Sequence, residues 1–340
     1  MFKIAMPIAL AGVVAGAIGA APAQAQDTVT WRMQALWDAN TTPQEFEQRF
    51  VERVAELTDG KFQIQLFSGG QIVPAAEAFE AVQGGAFELM KTFDGYEAGA
   101  VPAFYFTSTV PFGFETSDQM EAWFYELGGL ELARDAYDDF GMHYIAPSIY
   151  GEEPIHSKFP IESIADMAGQ KGRFVGLAAQ VMAAFDVAVT PMATGEVYSS
   201  LERGVIDFAD RGDLTANYEA GLAEVADFIV LPGVHQPVTA TGYVANQEAW
   251  DALPESYQAA LEVAAREVSG ALRQHVLVQN QVALENFQND GVEVLHLEAE
   301  DIQAARPTAV EAWREAAGDD PLANKILDSQ MAFMKQLGLL

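Results

Sequence analysis

The stretch from Lys171 to Asp210 constrains this chain most, because its punctuation admits few arrangements. Lys171-Gly172-Arg173-Phe174-Val175 reads as a short strand running into Gly176. Gln180 to Val187 reads as one or two apolar helical turns, and Ala188 to Met192 as a second strand. Thr194 then caps a helix, Glu196 supports its first turn, Val197 and Leu201 keep helical spacing, and Gly204 stops it. Val205 to Asp210 is a third strand. Strand, helix, strand, helix, strand is a parallel α/β unit, and such sheets bind small ligands beyond the carboxyl ends of their strands. Arg173 and Asp210 both fall at such ends.

A second unit of the same kind precedes it. Thr28 to Leu36 alternates as a strand, and Thr41 or Thr42 with Pro43 starts a helix whose Phe46, Phe50, Val54 and Leu57 share one face. Phe62 to Leu66 is a strand, Ala75 to Gln83 a helix and Ala86 to Lys91 a third strand. Two such halves suggest two lobes with a cleft between them. The length of 340 residues at 50% hydrophobic content supports that size. Ser117 to Tyr137 reads as one helical stretch, Met142 to Pro147 as a crossing strand, and Phe228 to Pro232 and Val238 to Val244 as further strands. Pro254 opens a helical pattern running to about Asn289, long enough to brace both lobes. Val292 to Leu297 is a last strand, and Pro321 to Leu339 an amphipathic helix that needs a partner surface.

The expected division is a signal peptide over 1–25, a first lobe over 26–147 with returning segments, a second lobe over 148–250, the long helix and its return over 251–320, and a C-terminal helix over 321–340. Lys3, the Ala/Gly-rich run from Ile4 to Ala21 and Ala23-Gln24-Ala25 have the pattern of an export signal; a retained anchor is the rival reading. An exported, periplasmic chain follows. With no cysteine, disulfides, thiolate metal sites and cysteine nucleophiles are excluded. The 18 Lys and Arg against 49 Asp and Glu exclude nucleic acid and anionic membrane as partners. A small anion remains admissible, because global charge is screened beyond roughly 8 Å and one arginine governs a closed site.

The chain carries no Gly-x-x-x-x-Gly-Lys, no Gly-x-Gly-x-x-Gly and no Gly-x-Ser-x-Gly, and its five histidines lack ligand spacing. Nothing demands an enzyme; an exported enzyme would have to use a carboxylate pair such as Glu152 with Asp210. Arg173 is either a carboxylate clamp or half of a structural ion pair. Asp210 is either a metal or hydroxyl contact or a helix cap. Gln236 and the pair Glu152-Glu153 offer an amide and an acidic wall to the same crevice. The aromatic run from Pro102 to Phe114 reads as core or as cleft wall.

Gly69-Gly70-Gln71-Ile72-Val73-Pro74, Pro102-Ala103-Phe104, Val110-Pro111-Phe112-Gly113, Gly172-Arg173 and the segment from Gly195 to Asp207 together resemble the substrate-binding proteins of TRAP transporters, the DctP-like family, over essentially the whole exported chain. With Asp328-Ser329-Gln330 and Phe333, the signatures are most similar to the branch that binds 2-oxo monocarboxylates. The resemblance implies an α/β fold of two lobes with mixed, mainly parallel sheets, closing by hinge motion on a small organic acid and delivering it to a sodium-driven membrane permease. It implies that Arg173 clamps the carboxylate and that a sodium or calcium ion sits beside the ligand; from their positions in the chain, Trp37, Tyr96 and Phe174 are the candidate walls and Asp210, Arg211 and Gln236 the candidate polar or cation contacts. It also implies a homodimer by exchange of the C-terminal helix. Two departures stand out. Asp210-Arg211 replaces the branch's Glu-Trp, and Glu152-Glu153-Pro154 replaces its Gln-Met-Gly-Gly-Trp-Phe pattern. A zwitterion meeting Glu152 or Glu153, or a dicarboxylate meeting Arg211, is the alternative these substitutions open.

Overall fold

The computed structural model describes residues 1–2 and 28–340; the proposed export signal lies almost wholly outside them. The first lobe opens with β1 (Val29–Gln34), α1 (Thr42–Leu57), β2 (Phe62–Phe67), α2 (Ala78–Gln83) and β3 (Leu89–Thr92). Helix α1 forms because Pro43 presets its first turn and Phe46, Phe50, Val51 and Val54 repeat on one buried face. Next come α3 (Ser117–Glu126), α4 (Gly129–Asp138) and β4 (Met142–Tyr150). The single helix expected over Ser117 to Tyr137 is two, because Gly128 takes φ of 82° and a Cβ on Gly129 would meet the Trp123 ring at 2.7 Å.

The second lobe holds β5 (Ile155–Ser157), β6 (Lys171–Arg173), α5 (Gly176–Ala184), β7 (Ala188–Val189), α6 (Val197–Glu202), β8 (Phe208–Ala209), α7 (Leu214–Glu219) and β9 (Phe228–Leu231). Strand β6 pairs in parallel with both β7 and β8, so the parallel unit read from the sequence is present. Its third strand is shorter than expected, because the amides of Val205 and Ile206 turn back to the Ser200 carbonyl to close α6.

The chain then recrosses. It continues through β10 (Thr239–Asn246), α8 (Gln247–Asp251), α9 (Glu255–Asn289), β11 (Glu293–His296), α10 (Ala299–Ala317) and α11 (Pro321–Leu337). The first sheet has the order β2-β1-β3-β10-β4 and the second β11-β9-β5-β8-β6-β7. Strand β10 runs antiparallel between β3 and β4, so the second lobe does not extend to residue 250; its strand order ends at Leu231 and resumes with β11. Both sheets are mixed. Helix α9 buries Leu261, Ala265, Val268 and Leu272 in the first-lobe core and Ala283 and Phe287 in the second. At about 1.5 Å per residue its 35 residues span roughly 50 Å, enough to back both lobes.

Helix α10, whose interior Pro307 masks its pattern in the sequence, packs on α5. Helix α11 finds the surface its apolar face requires within the same chain. Ile326, Leu327 and Met334 are buried on a helix that packs on α4 and on the Pro102–Tyr105 turn, the Gln330 side-chain amide donates to the Phe106 carbonyl at 2.8 Å, and Trp123 Nε1 donates to Ser329 Oγ at 3.1 Å. Its amphipathicity therefore needs no second copy. Phe104, Phe106, Phe112 and Phe114 are core; of that aromatic run, Tyr105 reaches the cleft.

One buried ion pair lies inside the first lobe. Lys91 Nζ sits 3.2 Å from Glu47 Oε1 and 3.4 Å from the Tyr243 ring centroid, and burial lowers its pKa to about 8 against the pull of Glu47.

Candidate functional site

Two antiparallel segments cross between the lobes, from β4 to β5 and from β9 to β10. They touch: Glu153 N–H donates to the Gln236 carbonyl at 3.0 Å; from outside the crossings, Phe112 N–H, in the loop before α3, donates to the Val234 carbonyl at 2.8 Å. Gly233 is required there, since a Cβ would lie 2.0 Å from the Glu153 carbonyl oxygen. The Glu152 carboxylate accepts from Gly233 N–H at 2.7 Å, which turns Glu153 the other way, into the cleft. Of the pair Glu152-Glu153 expected as an acidic wall, Glu153 alone lines the chamber, and Glu152 is a structural tie at the crossing.

A small chamber of about 20 Å³ lies against this crossing, lined by Trp37, Tyr96, Tyr150, Glu153, Arg173, Asp210, Arg211 and Gln236 among others. Each comes from a strand's carboxyl end or from the crossing itself, the position expected for ligand contacts in open α/β sheets. Trp37 follows β1, Tyr96 follows β3, Arg173 ends β6, and Asp210 follows β8. Phe174 does not join them. Its side chain leaves the strand on the opposite face from Arg173 and is buried against Phe208 and His235, so it is core rather than wall.

Arg173 is 2% exposed yet borders the chamber. Its Nη1 donates to Asp210 Oδ1 at 2.7 Å, and Nε and Nη2 donate to the Met192 carbonyl at 3.1 and 2.8 Å. The arginine is thus one half of a buried ion pair whose side chain also borders the cleft. Burial opposes its charge, but the adjacent Asp210 carboxylate more than restores it and raises its pKa. Asp210 Oδ2 and Gln236 Oε1 are buried without hydrogen-bond partners. Burial pushes Glu153 up to about 8, with the Asp210 charge adding to it, while Tyr150 OH donates to its carboxylate at 2.5 Å. Burial drives His235 down to about 4, leaving a neutral ring whose Nε2 is 3.8 Å from Asp210 Oδ2.

Arg211 borders both this chamber and a wider outer cavity. Its Nη1 donates to the Ala216 carbonyl at 3.2 Å, and its Nη2 lies 3.5 Å from Asp38 Oδ2 across the cleft. A guanidinium has donors only, so the Arg211 side chain is not a cation ligand. Asp213 shapes the loop that holds it, accepting from the Thr215 and Ala216 amides at the start of α7. Among the described residues no three His, Asp or Glu side chains gather as a metal cluster. Asp210 Oδ2, Gln236 Oε1 and the Glu153 carboxyl are nevertheless hard oxygen donors, two of them unpartnered, and their chemistry suits sodium or calcium.

The lobes meet around these cavities. Tyr96 OH and Thr194 Oγ1 share a hydrogen bond of 2.7 Å between the chamber and the outer cavity. Gly176, at φ of 57°, lies so close to Gly95 that a Cβ would be 2.8 Å from its Cα. At the rim, Glu219 of α7 accepts from Thr42 N–H at 3.0 Å and from its hydroxyl at 2.6 Å, capping α1 from the other lobe, where Thr41 gives no side-chain cap. Thr194, Tyr150, Thr241 and Asp38 were not apparent as site residues in the sequence; Thr194 reads there simply as a helix cap.

Two α/β lobes joined by paired crossings, backed by one helix and facing each other across buried guanidiniums, define a solute-binding protein of the periplasmic-receptor type. The chain belongs to the DctP family, bacterial extracellular solute-binding protein family 7, whose profile matches residues 34–319. A monocarboxylate 2-oxoacid-binding periplasmic protein of Nostoc sp. is 31% identical over 310 residues, 91% of this chain and 85% of that protein. A TRAP transporter solute-binding protein from Bordetella bronchiseptica superposes with a TM-score of 0.85 at 28% identity, covering 92% of this chain and 93% of that one; it is described as a dimer with calcium and picolinate bound. A counterpart from Pseudoalteromonas atlantica, with sodium and pyruvate bound, gives a TM-score of 0.84 at 26% identity and covers 92% of this chain and 95% of that one. No described helix is long and apolar enough to cross a membrane.

Proposed function

We propose that this chain is the periplasmic receptor of a TRAP transporter, that it captures a 2-oxo monocarboxylate without transforming it, and that it hands the acid to a membrane permease. The observation that carries the reading is Arg173, a permanently charged guanidinium buried at a strand end yet bordering a chamber between two lobes. A carboxylate brought there is desolvated, and charge-assisted hydrogen bonds gain strength as water leaves. Arg211, which reaches both cavities, is the guanidinium an entering anion meets first. The Nostoc, Bordetella and Pseudoalteromonas relatives support the ligand class.

A sodium or calcium ion, when bound, would supply a positive charge to polarise the 2-oxo and carboxylate oxygens. Asp210, Gln236 and Glu153 are the residues that would hold it. Trp37, Tyr96 and Tyr150 exclude water from the same space. An enzyme built on Glu152 with Asp210 loses its basis, because the Glu152 carboxylate is engaged at Gly233. A dicarboxylate is the second reading, favoured by Arg211 as a second guanidinium in the cleft.

The test is a thermal-shift screen of ligand-stripped protein against 2-oxo acids, dicarboxylates and zwitterions, with and without sodium, calcium and chelator. At about a hundred times its Kd a ligand adds roughly 2.7 kcal/mol and several degrees. Stabilisation by 2-oxo monocarboxylates, lost in Arg173→Ala, is the expected result. Stabilisation by dicarboxylates alone selects the second reading, and silence across every class overturns both.

A further inference from the structure

We propose that the ligand is a 2-oxo acid with an extended apolar tail, its carboxylate at the arginines and its tail in the outer cavity; this rests on the function proposed above and sharpens its ligand class. The argument starts from space. The outer cavity holds about 650 Å³, and the chamber beside Arg173 about 20 Å³. A three-carbon 2-oxo acid has six non-hydrogen atoms, which at a water's share of about 30 Å³ each fill roughly 180 Å³. The larger cavity is not the gape of separated lobes. It persists while Tyr96 bonds Thr194, Gly95 abuts Gly176, Asp38 faces Arg211 and Glu219 caps α1, all contacts between the lobes.

Its lining fits a hydrocarbon. Leu36, Ala76, Tyr105, Val175, Ala179 and Met192 present apolar surface, and Gly99 and Gly195 leave open space above their backbones, with nothing within 4 Å of where a Cβ would stand. Of its acidic residues, Asp38 is turned to Arg211, and Glu97 is half-buried with its carboxyl held above the usual range by burial and by Glu80. Arg211 lines both spaces and marks where head meets tail. An acid that ends at three carbons leaves most of this surface wet. A tail of several methylenes displaces that water and gains about threefold to fourfold in affinity per methylene.

The experiment is calorimetric titration of refolded, ligand-stripped protein with pyruvate, 2-oxobutyrate, 2-oxovalerate, 2-oxohexanoate and phenylpyruvate, repeated on Gly195→Leu and Gly99→Leu. Both substitutions add a side chain where the structure has room, so folding is preserved and checked by thermal unfolding. Affinity is expected to climb by about threefold to fourfold per added methylene. In the two variants the ratio of 2-oxohexanoate to pyruvate affinity is expected to fall by on the order of tenfold, the loss of two or so buried methylenes. Binding of pyruvate with affinity flat or falling along the series overturns the tail and leaves the proposed function standing. An advantage of long chains that survives both leucines also overturns it, since the tail then lies elsewhere. Failure of every member to bind overturns the proposed function itself.

Discussion

Among the described residues each lobe contains one buried ion pair, and the two differ in what they border. In the first lobe Lys91 and Glu47 are 1% and 2% exposed and 3.2 Å apart; in the second, Arg173 and Asp210 are 2% and 1% exposed and 2.7 Å apart. Each pair even leaves one carboxylate oxygen unpartnered, Glu47 Oε2 and Asp210 Oδ2. Burial, pairing and unmet hydrogen bonds therefore do not separate structure from function here. What separates them is access. Lys91 is enclosed between β3, α1 and the Tyr243 ring, whereas Arg173 and Asp210 border the chamber between the lobes. A buried charge becomes a binding group only where a cavity reaches it.

The comparison breaks most visibly in stability. Lys91→Met leaves Glu47 buried and alone, and is expected to cost about 3–5 kcal/mol in urea unfolding while the Kd for the organic acid stays as it was. Arg173→Ala is expected to cost about 2–5 kcal/mol in binding, read by titration as a loss of roughly thirtyfold or more. If both variants lost only stability, Arg173 would be no clamp. A third carboxylate sharpens the contrast by pH. Asp94, buried and bonded by Tyr137 OH at 2.7 Å and by the Thr107 hydroxyl, is raised by burial to about 6. The native chain keeps this proton up to about pH 6, whereas the unfolded chain releases it near the ordinary value of 3.8. Between those limits the native state binds more protons, so this group's contribution to stability falls as pH rises. Asp94→Asn removes that term: its stability relative to wild type should improve steadily from pH 4 to pH 6 and level off above.

Replacing both lobe-one partners, Lys91→Met with Glu47→Leu, should return stability to within about 1 kcal/mol of wild type, since a buried pair exchanged whole for apolar groups costs little. The smallest effect belongs to the rim. Glu219→Gln weakens an exposed cap worth about 1 kcal/mol or less, and should lower ligand affinity a few-fold by relaxing the closed arrangement.

Much of this was legible from spacing alone. The long helix α9, the paired strand-helix units and the placement of Arg173 and Asp210 at strand ends follow from periodicity and punctuation. One error was avoidable: successive strand residues face opposite ways, so Arg173 and Phe174 could not both line the cleft. Others were not. The sequence leaves open which of the pair Glu152-Glu153 faces the chamber: it is Glu153, because Gly233, some eighty positions later, presses its backbone against this turn and offers its amide to Glu152. The return of β10 to the first sheet depends likewise on a partner strand remote in sequence, which no local pattern announces. The C-terminal helix announced that it needed a partner, and its composition could not say that α4 and Phe106 of the same chain provide one.

The cap on α1 has a consequence of its own. Helix ends normally borrow their first hydrogen bonds from the preceding loop; this one takes them from Glu219 on the opposite lobe. Separating the lobes therefore strips the first turn of α1 of its acceptor, and bringing them together restores it. The fraying of that single turn, followed by hydrogen exchange at the Thr42 amide, is thus linked thermodynamically to the angle between the lobes, so that the tip of a surface helix keeps a local record of whether the cleft is filled.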